Sequence, residues 1–158
     1  MAKAGFKQVF LGIETVHQAS LDAMGKHTNS EMIQEACEMC QSNGMSIFAG
    51  IIIGYPGETK EMVRENIEFT KSLNPDFVQF TPITAFPGTP FFAEMKRKGR
   101  IATENYTYYN LFHPMMHTEQ LSQMEIYELV GEAYAKFYLN PTYIKTMLSK
   151  TFVDPNFS

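Results

Sequence analysis

Cysteine is nearly absent: Cys37 and Cys40 are the only two in 158 residues. They form a C-x-x-C on a predicted helix, whereas a redox-active pair of that spacing belongs at a strand-to-helix turn. A zinc site needs about four ligands, and nothing else with ligand spacing lies nearby. Two reduced thiols on one helical face, in or near the core, are therefore expected. Basic clusters are missing as well. The one run, Lys96-Arg97-Lys98, reads as a solvated helix end favoured by the helix dipole, and with a net charge of −4 the chain has no electrostatic footprint for nucleic acid. Long apolar runs are missing: the longest, Ile47 to Gly54, is far too short to span a bilayer. The opening Met1-Ala2-Lys3-Ala4-Gly5 has no signal-peptide core, so a cytoplasmic location is expected. Neither G-x-G-x-x-G nor G-K-[ST] occurs, which ranks last any nucleotide-binding reading that uses Gly54-Tyr55-Pro56-Gly57 as a phosphate loop.

What remains is an ordinary globular composition, 44% hydrophobic and 19% charged, in a chain long enough to bury a core. Its organising stretch is Ala49 to Thr59, an apolar strand ended by a Pro-Gly turn, with Thr59 placed to start a helix. Successive strand side chains alternate between faces. Ile47, Ala49, Ile51 and Ile53 therefore share a face suited to packing under helices, and Phe48, Gly50, Ile52 and Gly54 share the other. The two glycines leave that second face hollow, which suits a ligand lying against the backbone as well as it suits a buried strand with a bulge.

Gly5 is placed as a helix cap, and Lys7 to Glu14 repeats the pattern: Val9, Leu11 and Ile13 on one face, Phe10, Gly12 and Glu14 on the other. A carboxylate at the end of a buried strand is costly unless it binds something or pairs with a neighbouring loop. His17 to Met24 reads as a short helix, Thr28-Asn29-Ser30-Glu31 as a capping box opening a second, and Thr59 to Leu73 as a third, stopped by Asn74-Pro75-Asp76. A strand from about Phe77 to Ile83 places Phe77, Gln79, Thr81 and Ile83 on one side, and Pro90 suits the first turn of a further helix. Strands alternating with helices imply a parallel α/β sheet, in which ligands bind at the carboxyl ends of the strands. Beyond Ile101 the chain changes character, giving units of 1–101 and 102–158. Asn105 to His117 reads as an ordered loop, in which Pro114 argues against His113 and His117 forming a helical metal pair and favours a structural or exposed role. Ser122-Gln123-Met124-Glu125 caps an amphipathic helix, Pro141 begins a last one, and Thr151 to Ser158 is expected to fray.

Gly12-Ile13-Glu14 followed by Leu21-Asp22-Ala23-Met24 and Lys26 resembles the fourth-strand region of radical S-adenosylmethionine (SAM) enzymes. Gly50 to Glu58 resembles their fifth-strand G-x-I-x-G-x-x-x-E motif, and Phe86-Pro87-Gly88-Thr89-Pro90 their sixth-strand region. Phe112-His113-Pro114 and Phe137 to Ile144 are similar to the subgroup with an attached cobalamin-binding domain, such as the anaerobic magnesium-protoporphyrin monomethyl ester oxidative cyclases. The resemblance implies strands four to six of a partial, TIM-like (β/α) barrel. It also implies SAM as cofactor, with a [4Fe-4S] cluster and cobalamin in the full-length family. It assigns Glu14 to the SAM ribose and amino-acid portion, Gly50, Ile52 and Gly54 to the adenine, and Gln79 and Thr81 to the inner wall, with Glu58 structural. The cluster motif C-x-x-x-C-x-x-C is absent. The chain is therefore expected to be the C-terminal half of a catalytic domain of oxidative cyclase or methyltransferase type, inactive alone. Its first strand should lack a neighbour, so association with the missing half-barrel or with itself is expected. The alternative is a half-barrel that binds SAM, another nucleotide or a protein without redox chemistry.

Overall fold

A computed structural model describes residues 1–153. Three parallel strands, β1 (Gln8–Glu14), β2 (Ser46–Ile53) and β3 (Phe77–Pro82), pair in the order β1-β2-β3. Helices α1 (Gln18–Ala23) and α2 (Ser30–Ser42) connect the first pair and α3 (Lys60–Ser72) the second. Then come α4 (Pro90–Arg97), α5 (Gln123–Tyr138) and α6 (Pro141–Val153). This is the α/β arrangement that the alternation predicts, a sheet segment with helical crossovers. The helix starts follow their sequence signals. Thr59 and Thr89 accept from the backbone N–H groups of Met62 and Phe92, and Pro90 opens α4. Ser122 and Glu125 form the expected capping box. The second helix is capped by Asn29 alone, which accepts from Met32. The last helix runs through Val153, so the expected fraying does not begin at Thr151; residues 154–158 lie outside the described residues.

The main core lies on one side of the sheet, and a second, smaller cluster of Ile83, Ala85, Phe92, Met95 and Met116 packs against Ile52 on the other. Ile47, Ala49, Ile51 and Ile53 are buried against Ile33 and Cys37 of α2, Val63 and Ile67 of α3, and Ile126, Leu129, Ala133 and Phe137 of α5. Cys37 is buried and Cys40 half-buried, both free thiols, as the helical spacing implies. Helix α5 thus belongs to the same core as the strands, and it also finishes the sheet. The Tyr138 hydroxyl accepts from the Val78 backbone N–H at 2.9 Å and donates to the Val78 carbonyl at 2.8 Å, while Tyr134 accepts from Phe80 N–H at 3.3 Å. Tyr143 donates to the carbonyl of Asp76, just before β3. These hydroxyls bond Val78 and Phe80 on the outer backbone edge of β3, which pairs with no strand among the described residues. The outer edge of β1 pairs with no strand among the described residues. No helix among them is long and apolar enough to cross a membrane.

Candidate functional site at the strand tips

The side of the sheet away from α2, α3 and α5 is built in rows, with the cluster of α4 covering it at Ile52. Phe10, Phe48 and Phe77 are in register across the three strands and meet edge-on, with ring centroids 5.3 and 6.4 Å apart. The next row toward the carboxyl ends is Gly12, Gly50 and Gln79, and beyond it Ile52 pairs with Thr81. An aromatic floor therefore underlies a row with almost no side chains. The register slips at Ile13, and Glu14 takes a left-handed backbone conformation with φ of 65°. That conformation is unfavourable for a residue with a Cβ, and here it turns the carboxylate back over the glycine row.

Glu14 does not stand alone. Lys26, after α1, donates to Glu14 Oε1 at 2.8 Å and to the Gly12 carbonyl at 3.0 Å. The expected hollow is thus partly furnished by the chain itself. A Cβ at Gly12 would lie 2.5 Å from Glu14 Oε1 and 3.2 Å from Lys26 Nζ, and one at Gly50 would lie 2.8 Å from the edge of the Phe10 ring. Phe10, 58% exposed and edge-on to Phe48, leans its ring over Gly50 and fills part of the expected hollow. Thr81 donates to the Ile51 carbonyl at 3.3 Å. Gln79 is half-buried, and its amide makes no hydrogen bond among the described residues. The row therefore offers an open amide, an acid and a base to anything lying across the glycines.

Gly54 departs from the expected parity. Strand β2 stops at Ile53, and Gly54 turns with φ of 87°, so the space it leaves is taken by Ile126 of α5, 2.9 Å from where a Cβ would be. Its glycine is required by the turn and by this close approach on the helix-covered side. The residue after the turn that matters most is Glu58, 1% exposed. Its Oε2 accepts from the N–H groups of Gly54 at 2.7 Å and Tyr55 at 3.3 Å, and its Oε1 accepts from the Asn66 amide at 2.7 Å. Asn66 Oδ1 in turn accepts from Val16 N–H at 2.7 Å and from the Thr15 hydroxyl at 3.1 Å. One buried chain of hydrogen bonds therefore clamps the tips of β1 and β2 to α3, which gives Glu58 its structural role. Burial pushes its carboxyl up to about 7, against the pull of these donors and of His17 nearby.

Lys26 has no role legible from the sequence, and nothing in the residue order singles out Thr15 or Asn66. Lys26 could have been suspected as the one cation in a motif whose carboxylate ends a strand. Asn66 could not, because an asparagine within a helix carries no signal of what packs against it.

A radical SAM superfamily model matches residues 1–70. Across 141 residues the chain is 31% identical to an uncharacterised methyltransferase of Pyrococcus horikoshii, covering 89% of this chain and 31% of that protein. It is 28% identical over 148 residues to the anaerobic magnesium-protoporphyrin IX monomethyl ester cyclase of Rubrivivax gelatinosus, covering 94% and 26% respectively. The chain thus spans about a third or less of the length of these relatives. Among solved structures, the fold matches coproporphyrinogen III oxidase of Escherichia coli, a radical SAM enzyme, with a TM-score of 0.63 at 16% identity, over 87% of this chain and 27% of that one. It also matches the radical SAM methyltransferase TsrM of Kitasatospora setae, solved with cobalamin and a [4Fe-4S] cluster, with a TM-score of 0.56 at 24% identity, over 61% and 18%. Three parallel strands with helical crossovers, a partial barrel by its neighbours, and motifs at three strand tips agree: the chain belongs to the radical SAM superfamily.

Proposed function

We propose that this chain is the SAM-binding half of a radical SAM enzyme of methyltransferase or oxidative cyclase type. The observation that carries the reading is the row Gly12, Gly50 and Gln79, bounded by Glu14 and Lys26 on one side and by Ile52 and Thr81 above. A side chain at Gly12 would collide with the acid–base pair, so backbone and charge can approach a ligand together there. Glu14 suits the ribose hydroxyls and ammonium of SAM, Lys26 its carboxylate, and the amide of Gln79 and the apolar Ile52 the adenine. Thr81 completes the wall, and the turn at Gly54 holds the tip of β2 in place.

The residues present do not fit an iron–sulfur cluster: C-x-x-x-C-x-x-C is absent from the sequence, and no three potential ligands gather among the described residues. On this reading the chain is inactive alone, and a cluster-bearing half-barrel pairs along the outer edge of β1, the edge that no tyrosine caps. Residues 1–101 supply the barrel part and 102–158 the extension, in the cytoplasm. The second reading, a SAM or nucleotide-binding module without redox chemistry, is favoured by that same lack of cluster ligands.

Calorimetric titration of SAM tests the binding role. Saturable binding that Glu14→Ala and Lys26→Ala each weaken tenfold or more is expected. No heat from the unaltered protein, or equal affinity in all three, would remove the ligand role from the strand tips.

A further inference from the structure

We propose that Phe10 determines which ligands enter the strand-tip site: its ring occupies the place above Gly50 that a planar base would take, and only a ligand able to displace the ring is admitted. The inference rests on the reading of the glycine row as the ligand seat and adds the residue that controls access to it.

Phe10 pairs with Phe48 across β1 and β2, and Gly12 pairs with Gly50 one row nearer the carboxyl ends. Phe10 therefore starts a row below the glycines, yet its ring leaves its own row. A Cβ at Gly50 would lie 2.8 Å from Phe10 Cζ, and 3.5 and 3.6 Å from its two Cε atoms. The ring thus points its tip at Gly50 and does not lie flat beneath it. Carbon atoms in contact sit about 3.5–4.0 Å apart, so the tip stands in the first layer above the Gly50 backbone. A planar base cannot fill that layer while the ring is there. Held tip-on, the ring also turns no face toward Gly50 on which a base could stack.

The groups that crowd the glycines differ in kind. At Gly12 they are Glu14 Oε1 and Lys26 Nζ, charged atoms that can turn their bonds to a ligand. At Gly54 it is Ile126, fully buried and fixed in the core. At Gly50 it is an apolar ring, 58% exposed and edge-on to Phe48 at 5.3 Å, which can only compete with a ligand or leave. Exposed side chains change rotamer within picoseconds to nanoseconds, so the ring does not slow binding. It lowers affinity, because the ligand binds only the molecules whose ring has swung away. The edge contact with Phe48 sets that loss at about two- to tenfold. A ligand that brings its own planar ring covers Gly50 in place of Phe10, whereas a small polar solute leaves the exposed backbone bare. Phe10 thereby selects for base-bearing ligands.

Calorimetric titration of SAM into the unaltered protein and Phe10→Ala tests this. The variant should bind about two- to tenfold more tightly. The chain has no tryptophan, so Phe10→Trp places a single fluorescent reporter at the same position and keeps an aromatic ring beside Phe48. Saturating SAM should raise quenching of that tryptophan by iodide, as the ring moves into water. Equal or weaker SAM binding by a folded Phe10→Ala, or unchanged quenching in Phe10→Trp while calorimetry shows SAM bound to it, would each overturn the proposal. If Glu14→Ala weakens SAM binding and Phe10→Ala leaves it unchanged, the ligand seat stands and the role of Phe10 falls. If neither the unaltered protein nor Phe10→Ala binds SAM, both fall together.

Discussion

Replacing Glu58 by Gln should flatten the pH dependence of stability. Glu58 is buried, and its carboxyl is raised from 4.5 to about 7, chiefly by burial. Because the folded-state value lies above the ordinary one, the folded protein binds this proton more tightly than the unfolded chain does. Stability from the group is therefore fully present below pH 4.5 and is lost as the pH rises through about 7. The shift corresponds to about 3 kcal/mol between the two ends of that window. For a chain of this size, that is roughly 6–12 °C in melting temperature. Glu58→Gln removes the titration but not the crowding of donors. Gly54, Tyr55 and Asn66 all point N–H groups at the side chain, and Asn66 cannot reverse its amide while its oxygen accepts from Thr15 and Val16. One amide hydrogen of the new glutamine must then face a donor, which costs about 1–3 kcal/mol. The variant should be the less stable protein at pH 5, and its deficit should shrink by about 2.5 kcal/mol toward pH 8. Urea unfolding of both proteins at pH 5, 6, 7 and 8 measures this directly, because other titrating groups cancel in the difference. Parallel stability curves across that range would refute the assignment of the raised carboxyl to Glu58.

Two further outcomes follow from the packing. Tyr138→Phe strips both hydroxyl bonds from Val78 and should cost about 1–3 kcal/mol, read as a lower urea midpoint. A loss below about 0.5 kcal/mol would mean that water replaces the hydroxyl at that edge of the sheet. Gly54→Ala forces a Cβ into a φ of 87° and against Ile126, at a combined cost of about 2–4 kcal/mol. Part of that should be recovered in the Ile126→Val background, and additive losses in the double-mutant cycle would show that the contact is not shared.

Much of this architecture can be read from residue order. Period-two alternation in Val9 to Glu14 and Ile47 to Ile53 separates the helix-covered side from the open one, because parity in a strand is a local property of the backbone. Thr59, Thr89 and Ser122 announce their helices because capping hydrogen bonds reach only a few residues. Parity fails at Gly54, where the chain leaves the strand one residue early and a distant helix claims the space. It also could not foresee that Phe10 would lean over Gly50, since χ angles of an exposed ring respond to neighbours across the sheet.

The tyrosines of α5 show the same division. Tyr134 and Tyr138 fit an amphipathic helix and look like ordinary core residues, yet their hydroxyls close the edge of a strand 54 and 60 residues away. The amino-acid order alone determined the parallel α/β class and most of the helix starts, consequences of short-range periodicity and steric preference. Tertiary structure alone decided that Lys26 meets Glu14 and that Asn66 joins two strand tips through Glu58. Those depend on contacts between segments far apart in the chain, which only the packed fold brings within hydrogen-bonding reach.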